Sequence, residues 1–125
     1  MEISNVLLID DNSHQHALFD CYSMNIEVID LIATSNIEDA IHSIKSQEPD
    51  IILLDNRLAP YETFKETTPK LRATGYDGRI VVISSDVGNI SNEDMEEHGI
   101  YSCMDKFDFD LSSFESKILN LMVKH

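Results

Sequence analysis

The chain has 125 residues, 42% of them hydrophobic, and a formal net charge of −14 with a pI near 4.4. That length fits one domain with a core of ordinary size. Such an acidic surface speaks against nucleic-acid backbones and anionic lipid heads as partners, and apolar runs of only four residues speak against a membrane span.

The acidic start, "MEISN", lacks the basic and apolar regions of a signal peptide. Cys21 and Cys103 lie far apart without CxxC spacing and read as reduced thiols. The expectation is a cytoplasmic protein, a single domain over residues 1–125, with no membrane insertion and no nucleic-acid partner.

In chain order, the first element is an apolar run at 6–9 that ends in two adjacent carboxylates, Asp10 and Asp11. "HALFDCYSM" follows as a helix with Ala17, Leu18, Cys21 and Tyr22 on one face. A second run at 28–33 precedes "NIEDAIHSIK", where Ile37, Ala40, Ile41 and Ile44 recur at helical spacing. Ser35 with Glu38 reads as its capping box. The third run, 51–54, ends in Asp55, and residues 62–73 predict a helix that Pro69 disturbs or opens. Tyr76-Asp77-Gly78 reads as a turn before the fourth run, 80–83, which ends in Ser84. "SNEDMEEHG" is a helix with Ser91 as N-cap, acids in its first turn and Gly99 as its stop. A weaker run at 101–104 ends near Lys106. The last helix opens on a Ser112–Glu115 capping box. It lines up Phe114, Ile118, Leu121 and Met122, and sets Lys124 and His125 at its negative end.

Strand and helix thus alternate five times, which predicts an α/β fold with a parallel sheet, helices on both faces and right-handed crossovers. Sites in such sheets form beyond the carboxyl ends of the strands. Those ends carry Asp10, Asp11, Asp55, Ser84 and Lys106. A single Asp at a strand end is usually a cap or turn residue; five such groups at four strand ends point to a site. Clustered carboxylates need a hard cation among them. A carboxylate can act as a nucleophile toward phosphorus, with a metal, a Lys and a hydroxyl stabilising the transferred group. His14 and His16, at i and i+2, point to different helix faces and do not read as a shared metal site. His42, His98 and His125 read as surface residues.

With "LLIDD", "PDIILLD", "IVVIS" and "GIYSCMDK" in this order, the sequence resembles the receiver domain of two-component response regulators over nearly its whole length. The resemblance implies a flavodoxin-like (βα)5 three-layer sandwich with strand order 2-1-3-4-5. It implies Asp55 as phosphoacceptor, and Asp10, Asp11, Asp55 and the backbone carbonyl of Arg57 as ligands of Mg²⁺, with Mn²⁺ as a substitute. Ser84 would donate to a phosphoryl oxygen and Lys106 would pair with the same group. The donor would be a sensor histidine kinase or a histidine phosphotransfer protein, and a downstream protein would dock on residues 91–125.

Several positions depart from the family pattern. Ala59 and Thr63 stand where many receivers have Pro and Gly, and Pro60 comes one residue late, so the loop after Asp55 is expected to differ. Phe107 follows Lys106 in place of the usual Pro; a cis bond there would cost about 3 kcal/mol, so a trans bond and a rearranged loop are expected. Cys103 replaces the switch aromatic, which leaves Cys103, Tyr101 and Phe107 as switch candidates. Arg57 and Asp86, two residues beyond Asp55 and Ser84, are expected to pair across the site mouth and to modulate hydrolysis.

Two other readings remain open. One is a receiver-fold binding module or relay intermediate whose output does not depend on phosphorylation. The other is an enzyme of related topology, but "DDNSHQ" has neither the D-x-D order of an Asp phosphatase nor the Ser/Thr/Gly-rich turn of a flavin site. Independent metabolic activity is not expected.

Overall fold

In the computed structural model, which describes residues 3–122, five strands form one parallel sheet. They are β1 (Ser4–Ile9), β2 (Ile29–Thr34), β3 (Ile51–Asp55), β4 (Arg79–Ser84) and β5 (Ser102–Asp105), in the order β2-β1-β3-β4-β5. The helices are α1 (Ser13–Ser23), α2 (Ile37–Gln47), α3 (Phe64–Arg72), α4 (Asn92–Glu97) and α5 (Phe114–Leu121). The parallel sheet is the one that the alternation predicts, and its strand order is the flavodoxin-like (βα)5 order that the resemblance implies. None of these helices is long and apolar enough to cross a membrane.

The central strands are apolar without a break because both their faces are covered. Side chains alternate along each strand, so Leu7, Ile9, Ile52, Leu54, Ile80 and Val82 share one core with α2 and α3. Val6, Leu8, Ile51, Leu53, Val81 and Ile83 share the other with α1 and α5. Met95 of α4 packs on the first core.

Helix boundaries and faces differ from the sequence expectation in ways that have local causes. On α1 the buried residues are Gln15 and Phe19, while Ala17 and Cys21 are exposed. The helix turns Phe19 inward because three rings meet it: Phe109 at 5.1 Å, Phe114 at 5.4 Å and Tyr22 at 5.8 Å. α2 is capped by Asn36, not Ser35: its side chain accepts from Asp39 N at 2.8 Å and donates back to the Asp39 carboxylate at 3.2 Å. α3 starts later than expected, after Thr63. There the buried Asn56 accepts from Phe64 N at 3.1 Å, and Pro69 sits inside the helix with its ring exposed. Ser91 caps α4 as expected, and Gly99 after it adopts φ +65°. At α5, Asp110 replaces the expected Ser112–Glu115 box. Its carboxylate accepts from Ser113 N and both Ser112 and Ser113 hydroxyls within 2.9 Å. Lys124 and His125 lie outside the described residues.

His98 is half-buried rather than a plain surface residue. Its Nδ1 meets the Asp94 carbonyl at 2.9 Å, and its ring stands edge-on to Phe64. Both cysteines are free, Cys21 exposed and Cys103 half-buried.

Candidate functional site at the carboxyl edge of the sheet

The strand register gathers the site. Ile9 of β1 pairs with Leu54 of β3, so Asp10 and Asp55 follow side by side. Asp55 pairs with Ile83, one residue before Ser84, and Ser84 pairs with Asp105, one before Lys106. Four consecutive strands of one parallel ladder therefore release Asp10, Asp55, Ser84 and Lys106 at the same edge.

Asp10, Asp55 and Ser84 are all buried, while Asp11 is exposed at the mouth. One carboxylate oxygen from each of Asp10, Asp11 and Asp55 lies within 4.8 Å of the others. Lys106 Nζ sits between the two buried acids, 2.9 Å from Asp10 Oδ2 and 3.2 Å from Asp55 Oδ1. One ammonium cannot neutralise three carboxylates. Burial first, then the charge of Asp10, pushes the Asp55 carboxyl up from 3.8 to about 6, although Lys106 and the Arg57 N–H pull the other way. Burial acts to lower the Lys106 ammonium, but Asp10 and Asp55 outweigh it and leave its pKa raised.

The residues fit a hard divalent cation. The donors are all oxygen, which suits Mg²⁺ or Mn²⁺ rather than a soft metal. Asp10 Oδ2 is buried, and its one partner among the described residues is the Lys106 ammonium at 2.9 Å, which it shares with Asp55. A buried carboxylate oxygen that shares one ammonium with a second acid, in a group of three carboxylates, is what a cation would satisfy.

The supporting contacts are mostly backbone. Asp10 Oδ1 accepts from Asn12 N at 2.9 Å, Asp11 Oδ2 from Ala59 N at 3.3 Å and Asp55 Oδ1 from Arg57 N at 3.3 Å. Ser84 Oγ accepts from Asp86 N at 3.0 Å, which leaves its O–H free to donate. The sequence gives no sign of the Ala59 contact, nor of Leu58, whose fully buried side chain anchors the loop after Asp55. That loop carries a cis bond between Ala59 and Pro60.

The expected ion pair between Arg57 and Asp86 is not formed. The Asp86 carboxylate instead accepts from the side-chain amide of Asn89, within the 3₁₀ turn Val87–Asn89. A contact three residues away orders fewer exposed rotors than a bridge across the site mouth.

After Lys106 the bond to Phe107 is trans, as expected. Residues Lys106–Asp108 form a 3₁₀ turn capped by Asp105, whose Oδ1 accepts from Phe107 N at 2.8 Å. The turn pushes Phe107 out to 83% exposure and tucks Phe109 into the core. Of the other switch candidates, Tyr101 is exposed with its ring under the Arg79 guanidinium, 4.1 Å from the centroid. Cys103 packs half-buried on the core, and burial pushes its thiol pKa up.

No protein-family model matches the chain, and no curated protein matches it in sequence. Solved structures do. The receiver domain of a CheY-like response regulator from Methylobacillus flagellatus superposes with a TM-score of 0.76 at 17% identity, over 96% of this chain and 99% of that one. The chemotaxis response regulator CheY4 of Vibrio cholerae gives 0.77 at 12% identity, over 95% and 98%. The signal receiver domain of the putative response regulator NarL from Mycobacterium tuberculosis gives 0.74 at 17% identity, over 98% of each chain. Identity this low carries architecture rather than activity: the chain has the fold of response-regulator receiver domains.

Proposed function

We propose that this protein is a phosphoacceptor receiver that takes a phosphoryl group on Asp55 and signals through protein contacts. The observation that carries the reading is the Lys106 ammonium seated between the buried carboxylates of Asp10 and Asp55. In this reading an Asp55 oxygen attacks phosphorus as the phosphorus–nitrogen bond of a donor phosphohistidine breaks, and the imidazole leaves. Lys106 offsets charge on the transferred oxygens, and the free Ser84 O–H donates to one of them. Mg²⁺ or Mn²⁺, held by Asp10, Asp11, Asp55 and the Arg57 carbonyl, would add positive charge for the same oxygens.

The donor is a sensor histidine kinase or a histidine phosphotransfer protein, and the setting is the cytoplasm. The proposed docking face lies within residues 91–125, of which 91–122 are described. It exposes Tyr101, Phe107, Leu111 and Leu119 among Asp108, Asp110 and Glu115, which suits a partner with basic and apolar groups. Phe107 is already exposed in the unmodified protein, and this favours a second reading, a binding module or relay whose output does not require phosphorylation. Equal partner affinity before and after modification would select that second reading.

The direct test uses the wild-type protein with acetyl phosphate or phosphoramidate and Mg²⁺, followed by intact mass. A gain of about 80 Da that EDTA prevents is expected. No gain with several donors overturns the reading.

Arg57 and Asp86 are proposed to modulate hydrolysis separately, since their exposed side chains flank the site without pairing. Arg57→Ala is expected to change the lifetime of the phosphorylated protein several-fold, followed as decay of the heavier species. An unchanged lifetime removes Arg57 from this role.

A further inference from the structure

The polar groups of Asp10 face four different neighbours. Its N–H donates to the Thr34 carbonyl at 3.0 Å. Oδ1 accepts from Asn12 N, and Oδ2 lies beside Lys106. Its carbonyl oxygen meets the imidazole Nε2 of His16, on the first turns of α1. A carbonyl only accepts, so this Nε2 carries the hydrogen. His16 is half-buried, and helix parity keeps it away from any partnership with the exposed His14.

The peptide between Asp10 and Asp11 is planar, so the direction of the Asp10 carbonyl fixes the plane from which Asp11 departs. Asp11 is the least anchored of the three carboxylates: it is exposed, and it is held by the 3.3 Å contact from Ala59 N. Asp10 and Asp55, by contrast, are buried and share Lys106.

We infer that His16 is a positioning residue for the cation site: its Nε2–H holds the Asp10–Asp11 peptide so that the Asp11 carboxylate faces Asp10 and Asp55. The inference rests on the proposed receiver reading only for the identity of the cation. Groups that orient metal ligands from behind commonly contribute about 10-fold or more in affinity.

The test compares His16→Gln with His16→Met, two side chains of similar length that differ in having an N–H at the tip. Mg²⁺ affinity is measured by titration calorimetry on the full chain, and urea unfolding in EDTA checks that both variants fold. His16→Met is expected to bind Mg²⁺ about 10-fold more weakly than wild type, while His16→Gln stays within about 3-fold. Wild-type affinity in His16→Met overturns the inference and leaves the receiver reading intact, provided the wild-type protein gains the phosphoryl mass. If Gln and Met weaken binding equally, the imidazole acts by shape and the inference also fails. A wild-type protein that neither binds Mg²⁺ nor accepts a phosphoryl group overturns the receiver reading itself.

Discussion

Asp55→Asn is expected to give a protein that is more stable than wild type at pH 8 and that takes up no phosphoryl group. Asp55 is buried beside Asp10, and its carboxyl sits near 6 instead of 3.8. Each unit of such a shift corresponds to 1.36 kcal/mol, so the ionised form opposes folding by roughly 3 kcal/mol. The sign follows from proton binding. Between about 4 and 6 Asp55 in the folded protein holds a proton that it has released in the unfolded chain, so its contribution to stability falls as pH rises through that window and levels off above it.

An amide removes the charge but keeps the burial cost of a polar group, so a gain of about 2–3 kcal/mol is the upper range. Urea unfolding at pH 8 in EDTA should show it. The gain should shrink toward pH 4 and shrink again for wild type in Mg²⁺, which binds only the folded carboxylates. A loss of stability at pH 8 would mean that attraction to Lys106, 3.2 Å away, outweighs burial and the repulsion from Asp10. Intact mass after incubation with acetyl phosphate gives the second readout, with no heavier species expected.

Phe19→Ala is expected to cost about 3–5 kcal/mol, a large share of the total stability of a domain this size. The ring is fully buried and touches Tyr22, Phe109 and Phe114, so its loss leaves a cavity where α1 meets α5. Close-packed surroundings relax only partly into such a space. Cys21→Ala is the control, because the exposed thiol should matter by less than about 0.5 kcal/mol. A larger loss for Cys21→Ala than for Phe19→Ala in urea unfolding would place the buried face of α1 where periodicity alone puts it.

That contrast marks the boundary between sequence and tertiary structure. Runs such as "IILLD" and "IVVIS" declare doubly covered strands, because only a strand buried on both faces can be apolar at every position. Alternation with helical segments then allows few topologies, and polar residues at strand ends collect at one edge of a parallel sheet. Asp10, Asp11, Asp55, Ser84 and Lys106 were legible for that reason. Caps were less so: Asn36 and Asp110 displaced the expected Ser35 and Ser112, since neighbouring acceptors compete within a residue or two of a helix start.

What only the folded chain decided were contacts between segments with no fixed spacing. The Arg57–Asp86 bridge gave way to a local bond with Asn89. Lys106 lies between Asp10 and Asp55, and Phe107 is turned outward by a cap at Asp105. The rotation of α1 that buries Phe19 and brings His16 to the Asp10 carbonyl depends on where Phe109 and Phe114 arrive from the far end of the chain. Periodicity reports how apolar each face of a helix is, but the partner that covers it chooses the face, and that partner is set by packing across the whole domain.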